Sequence, residues 1–436
     1  MIAHKKWALH ARALVGSLLA SLALIGMNAT AYAAPTTGLV PFRMDGSNQA
    51  GWWKPLEEFN GSIYMAYNAW GGPGATNGGS TDTHTIYVAK RAPDGTWTRG
   101  CLKDGNGICA VYPDDVGHRQ PTIAIDGDGF IHVFASMHDN DWRYWRSGSA
   151  EDVTSMNWKG NTMPDQNGDY TYPSATRSAN GDVYMIIRAY PDGRLYRWNN
   201  AANTWSRVAT FASTASYTVY PDDISSDDAG NLHIGWEWAY NGHHGIRHLG
   251  SYLRYSPTSA QFYNAAGTQM TLPVSILSPV VYQPLEGTES SQGNNDAVDP
   301  GVQSAKVTIN PTTGRPMIGY RYRSVASGPF RVRMAEWDGS AWQRQVVYAG
   351  TYNTYPAVDI STNGATGVRV YYAKTQTFTG SQAFAATRQA NGTWLETELL
   401  PTAPIERLSV IKRGTTDHLY LASPTTQDLY YGTFPW

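Results

Sequence analysis

The residues with the plainest capacity for chemistry are His118, His138, Tyr172 and Arg188. They form two pairs, His118/His138 and Tyr172/Arg188, with intervals of 20 and 16 residues. Each pair brackets a Pro-led apolar run, a Gly/Asn/Asp turn and a second apolar run, and a hairpin of that kind returns its second member near the first. An imidazole, a phenol and a guanidinium with no neighbouring Cys or Ser suit β-elimination from a uronic acid. The C5 proton of a uronate is poorly acidic until its C6 carboxylate is neutralised, by Arg188 or by a charged or carboxylate-bonded His. A base then removes the proton and an acid reaches the glycosidic oxygen leaving C4. Histidine titrates near neutrality and can be the base; Tyr172 can be the acid, or both base and acid if its phenol is depressed by the adjacent cation. The plainer readings pair Arg188 with Asp182 or Asp192, and give His132, which alternates with its strand, a packing role.

A second dense patch is His233, Trp236, Glu237, Trp238 and Tyr240, followed by His243, His244, Arg247 and His248. His243, His244, Arg247 and His248 could contact an anionic polymer or ligate a structural metal with the acidic turns. In Tyr320, Arg321, Tyr322 and Arg323 the alternation sends one parity, including Arg321, to a channel or upper surface and the other into packing. Asp296 and Asp299 read equally as calcium ligands or as polar turn residues. Substrate contacts are therefore expected among Trp238, Tyr240, His243, Arg247, Tyr252 and Arg321. A structural calcium or zinc is an option, and the chemistry needs no redox cofactor.

The elements that must position these residues repeat. A strand, a tight turn and a second strand recur from Pro55, Pro121, Pro173, Pro221, Pro300, Pro356 and Leu408. Several copies continue into a further strand pair that ends in a Trp, at Trp97, Trp205, Trp342 and Trp394, with Asp94-Gly95 as the hairpin signal of the first. Four strands per repeat at a spacing of roughly 50 residues is the arithmetic of a propeller blade. The expected fold is all-β, a seven-bladed β-propeller of mostly four-stranded antiparallel blades. A β-sandwich with appended strands is the competitor. A solenoid would leave edges to cap, whereas a ring joins its last blade to its first. The recurring Trp residues read as blade packing, and the long polar insertions between Pro55 and Pro121 and between Pro221 and Pro300 as walls of a groove over one face.

Composition agrees. The 436 residues include 43 Gly, 24 Pro, 28 Tyr and 16 Trp, with only 16% charged, which describes short strands and tight turns and excludes helical bundles. Residues 1–33 read as a secretory signal: Lys5, Lys6 and Arg12, an apolar run over 13–27, and a small-x-small site at Ala31, Tyr32 and Ala33. The run falls short of the roughly 20 residues that span a bilayer. Removing 1–33 takes away three basic residues and no acidic one, so the net charge moves from −2 to −5. No nucleic acid and no membrane is expected as partner. The expected location is secreted or periplasmic, and the expected state a monomer. Cys101 and Cys109, the only cysteines, should close a small loop by a disulfide in that oxidising setting.

The segments GHRQPTIAIDGDGFIHVFASMH, YTYPSATRSANGDVYMIIR and NLHIGWEWAYNGHHGIRHLGSYLRYS resemble the BNR-4 type propellers that include the ulvan lyases of families PL24 and PL25, the latter more closely. The resemblance runs over nearly the whole mature chain. It implies a seven-bladed lyase that cleaves uronate linked to 3-sulfated rhamnose in an anionic sulfated polysaccharide. It implies direct roles for His118 and Tyr172, carboxylate binding by His138 and Arg188, and a further tyrosine at Tyr240 or Tyr252. A glycoside hydrolase would need two carboxylates flanking the bond, and no such pair stands out; a non-catalytic carbohydrate-binding propeller is the third reading.

Overall fold

The computed structural model describes residues 33–46, 53–70, 83–113, 119–240, 248–276, 301–324, 328–350, 357–374 and 381–436. Seven antiparallel sheets follow one another along the chain. Their innermost strands are Leu56–Phe59, Thr122–Ile125, Tyr170–Arg177, Tyr217–Ser226, Gly301–Ile309, Val358–Asn363 and Arg407–Arg413, numbered here as blades 1 to 7. Blades 1 to 6 take their strands in sequence order from the inside outwards. Blade 7 borrows its outermost strand from the start of the propeller: Thr36–Leu39 lies antiparallel to Asp428–Pro435, Thr36 opposite Thr433 and Leu39 opposite Tyr430. That exchange closes the ring and leaves no blade to be capped.

Burial falls from the inside outwards. In blade 3, Val183–Ala189 is buried along its whole length, whereas the outer strand Thr204–Ala212 is largely exposed or half-buried. Strands covered on both faces by neighbouring sheets read as continuous apolar runs, which is where the low charge of the chain comes from. The recurring Trp residues mark the outer hairpins. Trp97, Trp342 and Trp394 begin the fourth strands of blades 1, 5 and 6, and Trp205 is the second residue of that strand in blade 3. The disulfide Cys101–Cys109 forms, with a Cα separation of 5.5 Å, at the end of the outer strand of blade 1, Trp97–Cys101.

All seven inner strands line a central cavity of about 680 Å³. Polar side chains cross it and stitch one blade to another. Asp223 accepts a hydrogen bond from the Val307 amide at 2.8 Å, and Asp359 one from the Val410 amide at 2.7 Å. Lys54 reaches from blade 1 to Asp223 of blade 4 at 3.1 Å, and Arg413 of blade 7 pairs with Glu57 of blade 1. Where blades 2 and 3 meet at their first turns, backbone replaces side chain. Gly127 donates to the Gly181 carbonyl at 2.9 Å, and a Cβ on Gly127 would lie 2.7 Å from the Gly181 Cα.

Candidate active site

Tyr172 and Arg188 meet at one end of blade 3. Thr171 pairs with Arg188 across the first hairpin of the blade, and the ladder shifts register between Thr171 and Ser174. Tyr172 sits in that bulge with φ +59, directly before Pro173. A bulky side chain rarely takes a left-handed backbone, still less before proline; such strain, of about 1–3 kcal/mol, collects at functional sites. Its effect here is to re-aim the phenol. The ring packs against Tyr220 of blade 4 at 5.3 Å and against Trp53, which precedes blade 1, at 5.7 Å. The Arg188 guanidinium carbon lies 4.9 Å from the Tyr172 ring centre and 5.1 Å from that of Tyr220, within the range of cation–π attraction.

The other side of Arg188 belongs to blade 2. Beyond Ile131–Phe134 the chain makes a turn over 135–143 that leans on blade 3. Met137 and Trp142 are buried, the Trp142 ring stacks on Tyr170 at 3.9 Å, and Asn140 and Tyr170 exchange backbone hydrogen bonds. His138 and Asp139 ride on this turn. Arg188 Nη2 donates to Asp139 Oδ1 at 2.7 Å and to the Thr171 hydroxyl at 3.0 Å. Partial burial pushes the Asp139 carboxyl up, but the Arg188 charge and the hydrogen bonds of Arg188 and Thr171 outweigh it and hold the group below the ordinary carboxylate value. Tyr190, at the end of the same hairpin, exposes 55% of its surface with its ring centre 6.0 Å from the guanidinium.

The two sequence-matched pairs are thus placed differently. Tyr172 and Arg188 come together as the hairpin interval requires. His138 does not end its strand; it lies four residues beyond Phe134, on the turn, half-buried. His118 lies outside the described residues, as do His243, Arg247, Asp296 and Asp299, and so does the side chain of Tyr240, the last residue of the strand Leu232–Tyr240. Arg188 pairs with neither Asp182 nor Asp192: Asp182 is taken by Arg197 at 2.6 Å, and the partner is Asp139.

Three expected substrate contacts are interior instead. Trp238 is fully buried and donates to Ser251 Oγ at 3.1 Å. Tyr252 is buried and bonded to His233 Nδ1 at 2.7 Å, while His233 Nε2 meets Asp227 at 3.1 Å. His132 repeats this arrangement in blade 2, with Tyr144 at 2.8 Å and Asp126 at 3.0 Å. Burial depresses both imidazoles against the opposing pull of their aspartates; they brace blades. Arg321 is buried beneath the Phe330 ring at 5.5 Å. Sequence reasoning passed over Asp139, Thr171, Trp53 and Tyr220. Only Tyr220 carried a signal, since Tyr220-Pro221 repeats Tyr172-Pro173 at the same place in the next blade. Among the described residues, no three His, Cys, Asp or Glu are grouped to hold a metal ion, and no helix is long and apolar enough to cross a membrane.

The fold and this site define a seven-bladed propeller with an aromatic and cationic cluster where blades 2, 3 and 4 meet. The model of the BNR repeat-containing family matches residues 62–350, and the chain belongs to that family. Among solved structures it is similar to a polysaccharide lyase of family PL25, an ulvan lyase, at 16% identity and a TM-score of 0.68, over 90% of this chain and 95% of that one. A PL25 ulvan lyase bound to -[GlcA(1-4)Rha3S]- aligns at 15% identity and a TM-score of 0.67 over the same shares. The polysaccharide lyase Uly1 aligns at 13% identity and 0.63, over 88% of this chain and 90% of the other. At such identities the likeness establishes the fold. No curated protein matches the chain.

Proposed function

We propose that the protein is an exported polysaccharide lyase that cleaves ulvan, or a closely related polymer of uronate and sulfated rhamnose, by β-elimination. The observation that carries this reading is the juxtaposition of a strained Tyr172 with a buried Arg188 that Asp139 and Thr171 hold at one edge. Arg188, together with His138 of the blade 2 turn, takes the C6 carboxylate and spreads the charge that develops on it as the C5–H bond breaks. Tyr172 and His118 share the proton work: one removes the C5 proton, the other protonates the oxygen at C4 as that C–O bond breaks. The electron pair of the C5–H bond becomes the C4=C5 double bond, no water is consumed, and no step passes through a metal or redox cofactor. An anionic substrate suits the Arg188 guanidinium, and the fold shared with a lyase bound to -[GlcA(1-4)Rha3S]- supports the same substrate class. Cleavage after Ala33 and action as a monomer on polymer outside the cytoplasm complete the reading.

The test is the ultraviolet absorbance of the conjugated unsaturated uronate, followed with ulvan, alginate, pectate and glucuronan as substrates. A rise on ulvan supports the assignment, and a rise on another polymer moves the substrate. New reducing ends without absorbance replace the lyase by a hydrolase, and binding without either product leaves a carbohydrate-binding propeller.

A further inference from the structure

Resting on the lyase reading, we propose that Asp139 is a positioning residue, which holds the Arg188 guanidinium and the His138 turn in the geometry that receives the uronate carboxylate. Three groups form a closed cluster. The Asp139 amide donates to Thr171 Oγ1 at 2.8 Å, and the Thr171 hydroxyl donates to Asp139 Oδ1 at 2.9 Å. Arg188 Nη2 donates to both oxygens. Three of these bonds join Asp139 of the blade 2 turn to the blade 3 hairpin, and the fourth ties Arg188 to Thr171 within that hairpin, so the backbone at His138, one residue before Asp139, is tied to the strand pair that carries Arg188.

The environment explains why a carboxylate stands here. The Arg188 side chain is only 4% exposed, whereas that of Asp139 is 48% exposed. A cation that buried needs a counter-charge when no substrate is present, and Asp139 supplies it from the solvent side, its own partial desolvation outweighed by the Arg188 charge and the hydrogen bonds of Arg188 and Thr171. Tyr172 and Tyr220 offer the guanidinium only π faces, which attract it without fixing its rotation. Asp139 and Thr171 are the directional contacts that fix it. The turn does not depend on Asp139 to fold: Met137, Trp142 and the Asn140–Tyr170 backbone bonds anchor it independently, and Asp139 tolerates its φ of +52 as Asp does more readily than most residues.

The experiment is steady-state kinetics of Asp139→Ala and Asp139→Asn on the polymer that the wild type cleaves, with melting temperatures as a fold control and formate as rescue. Misplacing a charge-stabilising group by about 1 Å costs up to about 100-fold. Asp139→Ala should therefore lower kcat about 10- to 100-fold with KM changed less than about 3-fold. Asp139→Asn keeps an acceptor for Nη2 and should lie between. Formate, a carboxylate small enough to take the vacated place, should restore part of the Asp139→Ala rate, while chloride at equal ionic strength should not. A purely structural role would not answer to formate. An active wild type with Asp139→Ala within about 2-fold in kcat, or with no formate rescue, overturns this proposal and leaves the lyase reading standing. A wild type without elimination activity overturns both. Should Asp139→Ala fail to fold, Asp139→Asn carries the test, since its kcat must still fall.

Discussion

Arg188 and Arg369 both lie in the second strand of a blade, and both meet an aspartate from the neighbouring blade, Asp139 and Asp417. Around Arg369 every direction is closed. Nη1 donates to Asp417 Oδ2 at 3.2 Å and to the Phe434 carbonyl at 3.1 Å, Nη2 to the Pro435 carbonyl at 2.8 Å, and Nε to Thr387 at 3.3 Å. The rings of Phe434 and Trp436 cover its faces at 3.7 and 4.1 Å, and both side chains of the pair are fully buried. Around Arg188 only Nη2 is hydrogen-bonded among the described residues, and its carboxylate partner is half in solvent. A buried ion pair in which every guanidinium nitrogen is hydrogen-bonded and both faces are covered by rings fixes a fold and offers no open side to a ligand. One held at a single edge, beside a strained tyrosine, is arranged to meet another charge. Position along the strand separates the two as well: Arg369 is near the start of Gly367–Lys374, and Arg188 near the end of Val183–Ala189.

The contrast can be broken from either side. The largest effect is expected from Tyr172→Phe, which removes a proton donor and acceptor from the cluster: kcat should fall about 10²- to 10⁴-fold with the melting temperature nearly unchanged, measured by product absorbance and calorimetry. Retained activity would remove Tyr172 from the chemistry. Arg369→Ala should do the reverse, costing about 3–5 kcal/mol of stability by stranding Asp417 while the folded fraction keeps its activity; denaturant unfolding and active-site titration separate the two.

A smaller effect is expected in the channel. Burial pushes the Asp359 carboxyl up to about 6, Lys306 opposing and Asp223 adding to the rise. An unfolded Asp titrates near 3.9, so about two units correspond to about 3 kcal/mol. The folded state holds this proton more tightly, so the contribution to stability is complete below about pH 4 and is lost as pH rises through about 6. The melting temperature of the wild type relative to Asp359→Asn should fall between those values. A constant difference would mean that Asp359 ionises as it does in the unfolded chain.

Much of the ring was legible in the sequence because a blade is a local object. The anchors Pro55, Pro121, Pro173, Pro221 and Leu408 fall in or directly before inner strands, since a strand pair and its turn are set by neighbouring residues; Pro300 and Pro356 lie outside the described residues. The Tyr172/Arg188 pairing was legible for the same reason. Asp139 was not. Its partner lies 49 residues away in the next blade, and no periodicity within one blade reports which side chains cross to another. Trp238 and Tyr252 misled because Trp- and Tyr-rich strands read equally as a stacking surface or as core, and here both side chains lie in buried clusters, Trp238 with residues of blade 3 and Tyr252 with residues of blade 5.

The most direct measurement is the ultraviolet absorbance of unsaturated uronate released from ulvan by the wild type and by Arg188→Ala, with the melting temperatures of both recorded. Elimination by the wild type, reduced about 10²- to 10³-fold in a variant that remains folded, is the predicted result. A folded Arg188→Ala protein that eliminates as fast as the wild type would contradict the assignment of the blade 2–3 cluster as the catalytic site.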